Sequence, residues 1–329
     1  MPIPSIPNPI SLSDIQNEIG GTNPISLSEY YGMVSGVPST GPISIGNFSG
    51  KTYYVVETIT SNTVWTPKLN LARYIHIFVV GAGGSGGHGW PARNVGFFGN
   101  TDGVAGGAGG GGGGTAYSKI AASSAAASAI VIGVGGTGVH CTSEDSSVDG
   151  NSGTSTTFVG SGLNMTGAGG LGGQASKATS GHGDSTSGSG GAGGVATGGN
   201  TGNFSGGAGG GYSVSGSNPQ HSGAGGGAPR FSSSDPVSAA DSSTETVTQG
   251  MKVSEYSSWP SILTSYIIQR SQTPVLSSTN TNFNASSGTI TAGGTASPVY
   301  AAGSGGSGAE SSDYTGNGGN GIVFIVYEI

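Results

Sequence analysis

The stretch Tyr74-Ile-His-Ile-Phe-Val-Val80 runs without a break into Gly81-Ala-Gly-Gly-Ser-Gly-Gly87. The first half is a β-strand by composition, and its polar–apolar alternation is too weak for a strand with one wet face, so it reads as buried on both sides. The second half cannot bury side chains, because it has almost none. The C-terminal stretch Gly321-Ile-Val-Phe-Ile-Val-Tyr-Glu-Ile329 is a second such strand, again preceded by glycine. Residues 81–321 between the two strands are mostly Gly, Ser, Ala and Thr. Glycine supplies 69 of 329 residues, about three times its usual share of roughly 7%. It loses more conformational entropy on folding than any other residue. Such a chain must pack backbone densely, against itself or against partner chains, to hold one shape.

Composition excludes several classes. Charged residues make up 8% and hydrophobic residues 33%, with 12 Tyr, 9 Phe and 3 Trp. Disordered segments carry high charge and few aromatics. No strict Gly-X-Y period exists, which excludes collagen. A net charge of −7 with nine scattered basic residues argues against nucleic-acid binding. Cys141 is the lone cysteine, so no intrachain disulfide is expected. Apolar runs fall far short of the roughly 20 residues of a membrane span. The start, Met1-Pro-Ile-Pro-Ser-Ile-Pro-Asn-Pro9, lacks the basic and apolar regions of a signal peptide. Synthesis in a cytoplasm is therefore expected.

Residues 1–50 form a different unit from 51–329. Pro2, Pro4, Pro7 and Pro9 impose an extended arm. A motif then recurs three times: Pro9-Ile-Ser-Leu-Ser-Asp-Ile15, Pro24-Ile-Ser-Leu-Ser-Glu-Tyr30 and Pro42-Ile-Ser-Ile-Gly-Asn-Phe48. Capping boxes, Ser13 with Gln16 and Ser26 with Glu29, predict short helices over about 14–19 and 29–31, each closed by glycine.

From residue 51 the pattern turns to strands. They are expected at 52–59, 63–66, 74–80, 115–120, 129–134, 156–159 and 322–329. The fold class is all-β: a glycine-rich β-sandwich or jelly-roll-like domain, preceded by a small extended, short-helix N-terminal anchor. Gly-Ala-Gly-Gly clusters recur at 167–170, 191–194, 206–210 and 223–227. Two readings of them stay open: polyproline-II-like segments packed backbone to backbone, and flexible polyglycine loops. Residues 228–287 are a glycine-poor insert. Trp259, Ile262, Leu263, Tyr266 and Ile267 in it fall at helical spacing.

No catalytic constellation is found, and no cofactor or metal is called for. Gly81, Gly83 and Gly86 match a dinucleotide fingerprint, but Gly87-His-Gly-Trp-Pro91 cannot start the helix that would hold a pyrophosphate. His140 and Cys141 are adjacent and point apart on an extended chain. Glu144, Asp145 and Asp149 make a small acidic loop, and His182 with Asp184 reads as a solvated turn. What remains is binding. Trp90, Phe97 and Phe98 follow a strand in a glycine-flanked loop, and Trp259 lies in the insert. Aromatic rings held in loops offer stacking faces for sugars, or plugs for a small core.

The segment Ile10–Gly32 resembles one that recurs in tail-fibre and other virion structural proteins of tailed bacteriophages. The passage from an apolar strand into Val80-Gly-Ala-Gly-Gly84, and the final strand 321–327, are similar to glycine-rich domains of phage tail fibres and tail-tip adhesins. The resemblance implies a non-enzymatic virion component: a short tail fibre, spike or tail-tip protein, with a receptor-binding adhesin or a head fibre as alternatives. It implies attachment to other virion proteins through Ile10, Leu12, Ile15, Ile25, Leu27, Tyr30 and Tyr31. Host polysaccharide or an outer-membrane protein would meet Trp90, Phe97, Phe98 and Trp259. A homo-oligomer, with a trimer favoured, would bury glycine backbone between chains.

Overall fold

A computed structural model describes residues 11–19, 26–31, 40–48, 54–68, 72–88, 107–140, 148–175, 177–178, 185–186, 188–209, 229–230, 250–252 and 315–328. The strands are β1 Tyr54–Ile59, β2 Thr63–Trp65, β3 Tyr74–Val80, β4 Thr115–Ala121, β5 Ser128–Val131, β6 Thr156–Gly160 and β7 Leu163–Gly167. They continue as β8 Lys177–Ala178, β9 Ser185–Thr186, β10 Ala196–Thr197, β11 Gly202–Phe204, β12 Pro229–Arg230, β13 Gly250–Lys252 and β14 Ile322–Glu328.

Two five-stranded sheets form the domain, in the orders β1-β14-β3-β4-β11 and β10-β7-β6-β5-β2. Every pairing within them is antiparallel. They pack as a sandwich. Ile75, Ile77 and Val79 of β3 and Val323, Ile325 and Tyr327 of β14 share one core cluster with Ile130, Phe158 and Met165 of the second sheet. The intervening residues His76, Phe78, Phe324 and Val326 are buried as well. Both faces of β3 and β14 are therefore shielded, as their weak alternation predicts.

β7 is absent from the strand list read off the sequence. Ser161 and Gly162 both take positive φ, 54° and 72°, the backbone of a two-residue type I′ hairpin turn. Ser161 tolerates this because its hydroxyl accepts from Ala126 N–H at 2.9 Å and donates to Ala126 carbonyl oxygen at 2.9 Å. The two- and three-residue strands β10 and β11 were also unforeseen. They are too short to carry a periodic signal.

The glycine clusters resolve, among the described residues, into ordered rods. Four leave the sandwich, over 81–88, 133–140, 167–175 and 205–209, and four return to it, over 107–114, 148–154, 188–195 and 315–321. Their hydrogen bonds repeat every third residue. Gly81, Gly84 and Gly87 donate to Gly114, Gly111 and Ala108, each at 2.8 Å. Ala82, Ser85 and His88 donate to Thr154, Asn151 and Val148 at 3.2, 2.8 and 2.9 Å, and Gly83 to Gly319 at 2.8 Å. Three consecutive residues thus serve three neighbours, which is the three-residue period of polyproline II. That helix has no internal hydrogen bonds, so its N–H and C=O groups are free to join adjacent rods. Close approach requires glycine: a Cβ on Gly84 would stand 2.1 Å from the Leu171 carbonyl oxygen, and one on Gly111 2.1 Å from that of Ala192.

The rods form two layers that prolong the two sheets. Rods 81–88, 107–114, 205–209 and 315–321 continue the first sheet, and the other four continue the second. Residues 81–88 run straight through this bundle with Gly81, Gly83 and Gly84 amides engaged by other rods. They do not enter a helix.

The N-terminal repeats each end in a helical turn: α1 Leu12–Ile19, and 3-10 helices Leu27–Tyr30 and Ile45–Phe48. In the second copy Ser26 is the N-cap and its side chain accepts from Ser28 N–H at 3.3 Å. The first copy corrects the sequence reading. Its helix starts at Leu12, with Ile15 N–H bonded to Ser11 C=O at 3.3 Å, so Ser13 is already inside the first turn and cannot be the cap. In the third copy Asn47 Oδ1 accepts from Ser44 N–H at 2.7 Å, the reciprocal half of a capping box. Equivalent serines thus stand at the start of each turn, at the third position of each Pro-Ile-Ser motif. The helix read from the spacing of Trp259, Ile262, Leu263, Tyr266 and Ile267 lies outside the described residues.

Candidate functional site

The topology gives the molecule two ends. At one, which we call the base, Tyr54 pairs with Glu328, and Glu328 also pairs with Tyr74. The N-terminal segment enters the first sheet there. At the other, distal end the rods stop. Gly87 bonds Ala108, His88 bonds Val148, Gln174 bonds Ser189, and Thr315 bonds Val139. The residues flanking all four connections, 89–106, 141–147, 176–187 and 210–314, therefore lie at this single end. The third connection opens with a short antiparallel hairpin of β8 and β9.

The sequence-predicted residues divide accordingly. Trp90, Phe97 and Phe98 belong to the first connection and Trp259 to the fourth. All four lie outside the described residues, as do Cys141, Glu144, Asp145, His182 and Asp184. Asp149 is described: its Oδ1 accepts from Ala175 N–H at 2.7 Å at the root of the distal end. His88 and His140, 52 residues apart in sequence, meet there edge to face with ring centroids 6.0 Å apart. No sequence spacing signals that encounter. It follows from the antiparallel run of the rods. Among the described residues no group of three or more His, Cys, Asp or Glu could hold a metal ion.

Of the predicted attachment residues, Ile10 and Ile25 lie outside the described set, and so does the side chain of Tyr30. Ile15 is fully buried in the domain's core cluster, and Leu12 and Leu27 pack against that cluster, together with Ile43 and Ile45. Phe48, the last apolar residue of the third repeat, is fully buried in it too. The Tyr31 hydroxyl donates to Gly41 C=O. These apolar positions thus engage the chain's own sandwich.

Two polar clusters sit at the base, and sequence reasoning missed both because their members are far apart in the chain. In the first, Tyr327 donates to Glu57 Oε2 at 3.0 Å, and Trp65 Nε1 donates to the same oxygen and to Tyr327 Oη, each at 3.2 Å. Lys68 pairs with Glu57 Oε1. Burial pushes Glu57 up, but the hydrogen bonds from Lys68, Tyr327 and Trp65 and the Lys68 charge outweigh it and hold the carboxyl below its usual range. Burial, with the nearby Glu57 carboxylate, pushes Tyr327 up to about 12. In the second cluster His76 lies between Tyr117 Oη at 2.8 Å and Glu328 Oε2 at 2.9 Å. Lys119 reaches Glu328 at 2.8 Å and lies 4.1 Å from the centroid of the Tyr74 ring. Burial, with the Lys119 charge, pulls His76 down against the Glu328 carboxylate. Burial raises Glu328, and its bonds from Lys119 and His76 bring it below its usual range. Every member of both clusters has a partner within the chain, and the clusters tie β1, β3, β4 and β14 together.

Fold and rods together define a class: an antiparallel sandwich whose sheets are prolonged by a two-layer bundle of glycine-rich polyproline II rods. A family model described as a glycine-rich domain matches residues 58–328, and the chain belongs to that family. No curated protein matches it. Among the described residues no helix is long and apolar enough to cross a membrane.

Proposed function

We propose that this chain is a non-enzymatic binding component of a tailed-phage particle. Its base faces the particle and its distal connections meet the host surface. The observation that carries this reading is that the described residues flanking all four inter-rod connections lie together at the end opposite the chain's entry. A bundle whose amides are bonded every third residue is a stiff spacer, and stiff spacers favour precise presentation of loops. The aromatic residues Trp90, Phe97, Phe98 and Trp259 belong to these connections, and aromatic faces suit surface polysaccharide. The resemblance of Ile10–Gly32 to virion structural proteins supports placing the chain on a particle. The short turns of the three repeats pack on the sandwich, so the faces they leave exposed, including Ser13 and Ser28, are what a neighbouring virion protein would meet.

The test is adsorption of full-length protein to whole host cells. Wild type is expected to bind, and the double variant Trp90→Ala/Trp259→Ala to bind at least about tenfold more weakly with an unchanged far-ultraviolet spectrum, a loss of roughly 1.4 kcal/mol. Absence of wild-type binding to cells, alongside uptake into particles lacking the protein, would leave the structural reading of a spike or head fibre and discard the adhesin.

A further inference from the structure

We infer that two copies of this chain pair through the outer face of the second sheet and of the rods that prolong it. Six of the eight large hydrophobic residues exposed among the described residues gather on this one face: Val64 (68%), Val134 (63%), Val195 (60%), Leu171 (52%), Val159 (49%) and Val131 (48%). The three strands that carry Val64, Val131 and Val159 share the outward face. Val64 pairs with Ala129, and Ala129 with Val159, across β2, β5 and β6. One row further on, Val131, Thr157, Thr166 and Thr197 align across β5, β6, β7 and β10. On the rods the period of three carries the same face onward. In rod 167–175, a Cβ on Gly170 or Gly173 would point at rod 107–114, and one on Gly169 or Gly172 at rod 148–154. Leu171 takes the remaining direction, outward.

The occupant follows from charge and size. β2, β5, β6, β7 and β10 contain no charged residue, nor do rod residues 133–138, 150–154, 167–175 and 188–195. Asp149 stands at the distal rim with its carboxylate engaged by Ala175. A chain of net charge −7 repels its own copies, and an uncharged face of valines, Leu171, threonines and Asn164 is where two such copies can meet without that penalty. Five strands of two to five residues make a patch about 13 Å by 17–20 Å, and the four rods of about eight residues extend it by about 25 Å at a width of about 15 Å. The resulting area of roughly 600 Å² lies at the lower end of the standard ~600–1,000 Å² per partner. A single face pairing with itself is the isologous arrangement of a two-fold dimer. A trimer would need two different complementary patches, and the exposed apolar residues do not divide into two. This inference stands on the exposed face alone and does not depend on the phage reading.

Sedimentation of the full-length protein over roughly 1–100 μM tests it. The expected mass is about 63 kDa, twice the chain's 31.7 kDa. Val159→Lys, on a strand, and Val134→Lys, on a rod, should each shift the protein to monomer with an unchanged far-ultraviolet spectrum. The rod variant keeps the test decisive if the strand variant does not fold. Val55→Lys, at an exposed site on β1 away from this face, should leave the dimer intact. A monomeric wild type, a three-copy mass, or a dimer indifferent to both face variants would each overturn the inference. So would a monomer that loses docking to the particle on Val159→Lys, which would assign the face to another virion protein.

Discussion

At Gly84 the space for a side chain is taken by a carbonyl of the neighbouring rod, at 2.1 Å from where Cβ would stand. Backbone cannot yield there without displacing the whole rod, so Gly84→Ala should cost at least about 3 kcal/mol, beyond ordinary overpacking. Gly46 offers the contrast. It lies in the 3-10 turn 45–48, its nearest neighbour would be Ser44 Oγ at 3.6 Å, and its φ is not positive. Gly46→Ala should be neutral or stabilising by up to about 1 kcal/mol. Urea midpoints of the two variants would check this, and equal effects would contradict the distinction between rod and turn glycine. Ionisation is also a residue-scale matter. Glu57 and Glu328 lie below 4.5 and His76 below 6.5 in the folded chain. Between its folded and unfolded values each such group binds fewer protons folded than unfolded, so its contribution is full above the unfolded value and is lost as pH falls through the folded one. Tyr327, raised from 10.0 to about 12, behaves oppositely: its contribution is full below pH 10 and is lost as pH rises through 12. Stability should therefore form a plateau from about pH 7 to 10, with an acid limb beginning near 6.5 and steepening below 4.5. Tyr327→Phe should flatten the alkaline limb and, by removing one of the hydrogen bonds that hold Glu57 down, make the acid limb below 4.5 shallower while leaving the part near 6.5 in place. An alkaline limb unchanged in that variant would show that another group carries it.

At the scale of elements, the N-terminal repeat places a serine before a helical turn three times, and capping bonds are made at the second and third. Ser26→Ala removes the acceptor for Ser28 N–H and should cost about 0.5–2 kcal/mol. Phe48→Ala removes a fully buried ring from the core cluster and should cost about 3–5 kcal/mol. Thermal melts of both would check them, and a silent Phe48→Ala would mean that the repeats are not part of the cooperative unit. The same element shows what the sequence made legible. β3 and β14 were readable because each is a run of seven apolar-rich residues bounded by glycine, at the end of β3 and at the start of β14. The order of the glycine clusters was not, since flexible linkers and polyproline II rods share a composition and differ only in whether a neighbouring rod lies at the right distance. That neighbour is set by sheet order, a long-range property. The cap of the first repeat was misplaced by two residues because Ser11 and Ser13 both precede a plausible partner. Only the register of the turn decides between them. The base clusters of Glu57 and His76 were illegible, because β14 brings Tyr327 and Glu328 to partners some 250 to 270 positions earlier.

The whole molecule divides its stability between two kinds of matter. The sandwich buries Ile, Val, Phe, Met and Trp side chains between sheets in the ordinary way. The rods bury glycine backbone, and their order rests on inter-rod hydrogen bonds of about 2.8–3.2 Å. Exposing apolar surface on unfolding raises heat capacity, while exposing polar backbone lowers it. A domain built partly of rods should therefore unfold with a heat-capacity change per ordered residue clearly below the usual ~12–15 cal/mol/K. The hydrogen bonds lost with the rods still contribute enthalpy, so the calorimetric enthalpy per ordered residue should stay near the usual ~0.7 kcal/mol. The stability curve should accordingly be flat, with cold and heat limbs far apart. Differential scanning calorimetry across a range of pH values measures both quantities on the full-length protein. A heat-capacity change at the ordinary level would mean that apolar side chains, and not glycine backbone, dominate what the fold removes from water, and the rods would then be passengers on the sandwich.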